Sequence, residues 1–361
     1  MLPQNRLREL DFLRGIAIIL VVFRHKEVIH FIQVMGWIGV DLFFVLSGFL
    51  VSGLLFKEYK KYGSIDAKLF LIRRGFKIYP VFYLTYILYI IPRIILNKPD
   101  LKYIIFDLTF TQNYFLGWGY AYAQSWSLAV EEHFYFGLAL FLWLIFNKKI
   151  FQFKVVENGI SKFEVFLIFI LITVLILRVI SNIQFPDEKV RNTTMSHLRM
   201  DSLLFGVLIS YWYYFRIDKL TFFYLSNKFK LLTLSFLMLL FTPFIDQLDS
   251  FFVKTIGFTI IYLSFGILLI HFLIDKNINN QLDNLFSIKL VNFISKIGVC
   301  SYSIYIIHTL VIFAVKFLPI NNKIITFILV FVISIYTGFL ITSKVENYFL
   351  DLRDKYYPKW L

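Results

Sequence analysis

The feature that most limits what this chain can become is the recurrence of apolar runs long enough to cross a bilayer. A spanning helix needs about 20 mostly apolar residues. Segments near residues 12–31, 36–56, 78–96, 128–147, 163–183, 199–215, 231–247, 252–274, 298–318 and 324–343 fit that template. Hydrocarbon offers backbone N–H and C=O groups no water, so each run must satisfy its own hydrogen bonds as a helix. The expected fold is therefore all-α, a polytopic bundle of about ten transmembrane helices. The stretch YIIFDLTFTQNYFLGW at 103–118 is shorter and more polar, suits a re-entrant or interfacial piece, and is left outside that count.

Composition excludes a soluble alternative. Of 361 residues, 59% are hydrophobic and only 17% charged, against about 45–50% and about 25% in a soluble domain. Lipid has to cover the excess. The net charge of +14 would suggest nucleic acid in a soluble protein, but here the basic residues fall in blocks between apolar runs, such as KEYKKYGSIDAKLFLIRRGFK at 57–77 and FRIDKLTFFYLSNKFK at 215–230. With both termini in the cytoplasm, most Lys and Arg lie inside, as the positive-inside rule requires. This predicts a multi-pass protein of a bacterial-type cell membrane, with membrane lipid and no nucleic acid among its partners. The single cysteine, Cys300, rules out an intrachain disulfide. The N-terminus has charged positions and no small-residue cleavage site, so its apolar run reads as the first retained span rather than a signal peptide. There is no internal repeat and no linker composition; one membrane domain, 1–361, is expected.

Ionisable residues at bilayer depth cost at least ~2.5–3.5 kcal/mol each, and so mark candidate functional positions. The first span carries Arg14 and His25; eleven residues are about three helical turns, which puts both on one face, roughly 16 Å apart along the axis. Asp41 lies deep in the second span and needs a cationic or donor partner. Arg73, Arg74 and Lys77 cluster where the third span begins; they suit a polyphosphate ligand, while positive-inside anchoring explains them equally well. In QSWSLAVEEHFYFG at 124–137, Trp126, Ser127, Glu131, Glu132 and His133 open the fourth span. The helix dipole accounts for part of that acidity, and proton transfer beside a sugar-binding aromatic for the rest. Arg199 and Asp201 are two apart and cannot face each other on a helix, so each is expected to pair elsewhere. Arg178 reads as an outer-end snorkeller. SYSIYIIHTL puts Tyr305 and His308 in the ninth span, where His308 is a candidate bundle-interior donor.

In order, Arg14 with His25, GVDLFFVLSGFL, RRGFKIYP, WSLAVEEHFYF, LRMDSLLFG and SYSIYIIHTL resemble the acyltransferase-three family of bacterial membrane O-acyltransferases. Two positions depart from the family pattern: Lys77 stands where a second Arg is usual, and His133 where a Gln is usual. The resemblance implies an O-acyltransferase. It would move an acyl group, most commonly acetyl, from acyl-coenzyme A to a hydroxyl of a cell-surface or exported carbohydrate. No tightly bound cofactor and no metal are implied, and the appended extracytoplasmic hydrolase-like domain of longer members is not expected here. On this reading Arg73, Arg74 and Lys77 hold the coenzyme phosphates. His25 is the general base or acyl carrier, assisted by Arg14, with a carboxylate from Asp41, Glu131 or Glu132 fixing its tautomer. Trp126, Ser127, Arg199, Asp201, Tyr305 and His308 contact substrate. Two rivals use the same charges: a transporter or flippase of a lipid-linked or polar solute, and a non-catalytic partner in polysaccharide export. Consumption of acyl-coenzyme A separates the first from the transferase, and tolerance of substitution at Arg14 and His25 separates the second.

Overall fold

A computed structural model describes residues 7–26, 28–96, 100–150, 153–155 and 159–358. The first six residues, which enter the signal-peptide argument, lie outside the described residues. The described chain is helical without strands. Its principal helices are α1 (Arg8–His25), α2 (His30–Met35), α3 (Ile38–Tyr62), α4 (Ala67–Leu96), α5 (Leu101–Leu108), α6 (Gln112–Phe115), α7 (Ser125–Phe146), α8 (Lys162–Gln184) and α9 (Lys189–Thr194). They continue as α10 (Ser196–Phe215), α11 (Ile217–Leu239), α12 (Phe258–Ile274), α13 (Ile278–Phe286), α14 (Ile288–Val299), α15 (Ser301–Val315), α16 (Lys323–Ile341) and α17 (Asn347–Tyr356).

Among the described residues, six helical stretches are long and apolar enough to cross a membrane: His30–Tyr62, Ala67–Pro92, Ser125–Phe146, Lys162–Gln184, Val253–Ile274 and Lys323–Tyr356. Helices α14 and α15 supply a seventh if the pair, bent by 80° at Cys300, is one broken span. Helices α1, α10 and α11 have 18, 20 and 23 residues but carry charges that keep length and hydropathy alone from marking them. Large apolar side chains such as Phe169 on α8, Phe236 on α11 and Tyr336 on α16 stand on the surface at more than 60% exposure, as a lipid-facing surface requires.

Several boundaries differ from expectation: α1 stops at His25 short of 31, α3 runs on to Tyr62 past 56, and three further differences have identifiable reasons. α4 starts at Ala67, not near 78, because Lys68, Arg73, Arg74 and Lys77 lower the local hydropathy while being good helix formers. α11 starts at Ile217 and ends at Leu239 instead of covering 231–247. Its lysines, Lys219, Lys228 and Lys230, lower the mean over a hydropathy window and so mask the apolar residues between them. The 103–118 stretch becomes α5 and α6, separated by a break at which Phe110 takes φ 57°.

Two apolar cores hold the helices together. One joins α3, α7, α8, α10 and α12, and the other joins α1, α4, α15 and α16. In the first, α3 and α10 meet backbone to backbone. A Cβ on Gly48 would sit 1.9 Å from the carbonyl oxygen of Leu203, and one on Gly206 2.3 Å from that of Val45. Small residues are what let membrane helices approach so closely. The site lies between the two cores, and the bend at Cys300 turns the start of α15 toward it. A π-helical turn at Thr342–Glu346 leads into α17; such turns often sit at functional sites, and this one delivers Glu346 to Lys77 on α4 at 3.0 Å.

Candidate active site

Two cavities share part of their walls inside the bundle. The larger, about 720 Å³, lies among α1, α3, α4, α7 and α15. Its wall runs from Lys57, Lys61, Arg73, Arg74 and Arg353, past Lys77 and Arg14, to Glu131, Ser127, Ser301 and Tyr305. The smaller, about 220 Å³, is lined by Arg24, His25, Trp37, Trp118, Gln124, Trp126, Arg199, Gln247 and Tyr305 among others. Val40 and Tyr305 belong to both walls. One face of α1 thus serves two chambers, with Arg14 in the basic one and His25 in the aromatic one.

The three α4 cations on the wall of the larger cavity, Arg73, Arg74 and Lys77, are unequally committed. Arg73 donates to Asp354 at 2.7 Å and to the carbonyl of Tyr357. Lys77 is paired with the buried Glu346. Arg74 makes no hydrogen bond or ion pair among the described residues; its guanidinium lies over the rings of Phe70 at 5.8 Å and Tyr135 at 5.6 Å. Of these three it is the one whose guanidinium donors are all uncommitted among the described residues, and so the best placed to offer them to a ligand in the basic chamber. Arg14 donates to Ser301 Oγ at 3.1 Å and lies 4.0 Å from Asp11.

The carboxylates named by the sequence do not occupy one place. Glu131 accepts from Tyr135 at 2.7 Å and Ser47 at 3.1 Å, and lines the basic chamber. Glu132 accepts from Tyr79 at 2.7 Å and lines neither chamber. Asp41 accepts from Arg199 at 2.8 Å and from Ser202 at 3.2 Å, fully buried. The expectation that one of these three fixes the tautomer of His25 is corrected by those bonds: His25 Nδ1 is held by the carbonyl of Val21 at 2.8 Å and faces His308 Nε2 at 3.3 Å.

Asp201 pairs with Arg178 at 2.7 Å, both with side chains at or below 1% exposure. Arg178 is therefore no snorkeller; it also donates to Thr259 Oγ1 at 2.7 Å and to the carbonyl of Leu198. Arg199 stacks on Phe258, 3.5 Å from the ring centroid, and reaches the edge of the aromatic chamber. Of the expected substrate contacts, Trp126 lines the aromatic chamber, Ser127 the basic one, and Tyr305 both. The Tyr305 hydroxyl meets Ser127 Oγ at 2.6 Å and the carbonyl of Gln124 at 3.0 Å. Asp201 and His308 line neither chamber. His133 is turned toward Ser196 Oγ at 2.6 Å, away from both cavities.

Sequence reasoning missed Lys57 and Lys61, Trp37, Trp118, Gln247 and Arg353. The two lysines are four apart on one helix face, which was a usable signal. Arg353 was not findable, because only the fold brings α17 against α4.

Comparisons with known proteins bear on what this arrangement does. A family model described as an acyltransferase domain matches residues 7–343. The chain is 33% identical over 155 residues to the peptidoglycan O-acetyltransferase of Listeria monocytogenes, covering 38% of this chain and 24% of that protein. It is 28% identical over 218 residues to a Staphylococcus aureus protein provisionally named an O-acetyltransferase, covering 56% and 34%. It is 30% identical over 149 residues to a Bacillus subtilis protein provisionally named a peptidoglycan O-acetyltransferase, covering 37% and 23%. The matched part spans between about a quarter and about a third of the length of these relatives. No solved structure matches the chain.

Proposed function

This chain belongs to the acyltransferase-three family, and from that premise we propose that it is a membrane O-acyltransferase carrying acetyl from acetyl-coenzyme A to a carbohydrate hydroxyl at the cell surface. The donor would occupy the basic chamber, its phosphates on Arg74 with Arg73 and Lys77, and its pantetheine arm extending toward Ser127 and Tyr305. The acceptor hydroxyl would enter the aromatic chamber, where Trp37, Trp118 and Trp126 offer flat apolar faces to a sugar ring. The oxygen attacks the thioester carbonyl as His25 removes its proton; the C–S bond breaks, and the thiolate recovers that proton to leave as free coenzyme A. A histidine suits both halves because a neutral imidazole has one lone pair that can take a proton and later give it back. Relatives acting on peptidoglycan by name make a bacterial wall glycan the first acceptor to try.

The same reading places the chain in a bacterial cell membrane with ten crossings. These are α1, α3, α4, α7, α8, α10, α11, α12, the bent pair α14 and α15, and α16, with both termini and the basic chamber mouth cytoplasmic. The observation that carries the proposal is the continuity of walls: a cavity that opens among cations ends at Tyr305, and Tyr305 also walls the chamber of His25. The test is mass analysis of base-labile acetate on surface glycans from cells expressing the wild type or His25→Ala. The variant is expected to insert normally and to leave no acetate above background. Wild-type acetate from His25→Ala would overturn the role of His25. A wild-type protein that releases no thiol from acetyl-coenzyme A would overturn the donor.

A further inference from the structure

The hydrogen bonds around His25 fix where its protons are. A carbonyl oxygen can only accept, so His25 Nδ1, 2.8 Å from the carbonyl of Val21, carries the hydrogen. His25 Nε2 is then the atom with the lone pair, as a general base requires. The same logic applies to His308 on α15. Its Nδ1 lies 2.6 Å from the carbonyl of Tyr305 and must donate there, which leaves the lone pair on Nε2. That lone pair faces His25 Nδ1 at 3.3 Å, with ring centroids 5.0 Å apart. The N–H of His25 is therefore shared between two acceptors, one on its own helix and one 283 positions away.

We infer that His308 is the positioning residue of His25, a buried imidazole acceptor in the place where a carboxylate would ordinarily hold a catalytic histidine. The inference rests on the function proposed above. His308 is fully buried and lines neither chamber, so it touches neither donor nor acceptor. It acts through His25 alone. Its lone pair holds the Nδ1–H tautomer and keeps the ring from swinging. It also gives the His25 imidazolium, once Nε2 has taken the hydroxyl proton, a second acceptor for the remaining N–H. A neutral acceptor does this without burying another charge in the bundle, where a carboxylate would need its own cation. The tie is also mechanical: Tyr305, whose carbonyl anchors His308, walls both chambers, so the orientation of His25 is set by the same turn of α15 that divides donor from acceptor.

The test compares four full-length variants in lipid nanodiscs, following thiol release from acetyl-coenzyme A with chitopentaose as acceptor probe. His308→Leu removes the acceptor and keeps apolar bulk. Its kcat is expected to fall about 10–100-fold, the range found when the outer partner of a metal-ligating imidazole is removed, with the donor KM within twofold of wild type. His308→Gln restores an oxygen near the Nε2 position and is expected to recover most of the loss. His308→Asn, too short to reach His25, is not. If His308→Leu does not fold, the Gln and Asn pair decides alone. Equal rates for Gln and Asn, or a wild-type kcat in His308→Leu, would overturn the inference. His25→Ala run in parallel separates the two levels. If it is inactive while His308→Leu is unimpaired, only the positioning role fails; if it is fully active, the proposed role of His25 fails as well.

Discussion

Two groups of intramembrane charges, alike in residue type, do different work. In the first, Asp41 with Arg199 and Asp201 with Arg178 are ion pairs at 2.8 and 2.7 Å with every side chain at or below 1% exposure. In the second, Arg73, Arg74 and Lys77 stand on the wall of a large cavity, and Arg74 lies over two aromatic rings with no ion pair or hydrogen bond among the described residues. The difference is one of commitment. A buried pair has spent its charges on each other and ties α3, α8 and α10 together; a cation in a cavity wall keeps hydrogen-bond donors for a ligand. Proximity to a family motif does not distinguish them, because LRMDSLLFG holds Arg199 and Asp201 just as RRGFKIYP holds Arg74.

That contrast can be broken by experiment. The largest effect is expected from Arg178→Ala, which strands Asp201 without its cation. Breaking a buried pair costs about 3–5 kcal/mol, so folded protein recovered from membranes should drop sharply. The double variant Arg178→Met with Asp201→Leu should regain most of that yield; if it does not, the pair does more than hold helices. Next in size is Arg74→Ala. A hydrogen bond to a charged group is worth about 1.5–3 kcal/mol, so the donor KM should rise about 10–100-fold with an unchanged melting temperature. A lower melting temperature with an unchanged KM would place Arg74 with the structural group and erase the distinction.

Lys77→Met lies between the groups, since Lys77 lines the cavity but is bonded to Glu346, which is 3% exposed. It should lose about 1–3 kcal/mol of stability, the cost of an unsatisfied buried acceptor, and shift the donor KM less than Arg74→Ala does. The smallest effect belongs to Asp354→Asn. Its carboxylate is 56% exposed where it meets Arg73, and exposed pairs are worth about 0–1 kcal/mol. Stability should hold, while release of Arg73 lowers the donor KM by no more than about fivefold.

Much of this was legible beforehand, and particular residues show where legibility stopped. Asp41 sits alone in an apolar run, so its need for a partner could be read directly. Arg199 and Asp201 are spaced so that they cannot meet, so separate partners could be read as well. The identity of those partners could not, because Asp41 and Arg199 are 158 positions apart. Glu131 and Glu132 are adjacent in sequence and were read as one acidic site, yet neighbouring helical positions point about 100° apart; one reaches the basic chamber and the other Tyr79. The reading of Arg178 fails because a charge near the end of an apolar run looks the same whether it reaches for water or for an aspartate on another helix, here Asp201 on α10.

By itself the sequence determined the helical class, the apolar runs, the charges that have no place in lipid, and the order of motifs that marks the family. These follow from hydropathy and helical period, which are properties of neighbouring residues. Only the tertiary structure decided that Arg14 and His25 face different chambers, that Tyr305 divides them, and that His308 stands beside His25. Those outcomes depend on which helices approach and at what angle. Helix approach is set by backbone contacts at Gly48 and Gly206 and by an 80° bend at Cys300, features whose effect exists only once distant segments meet.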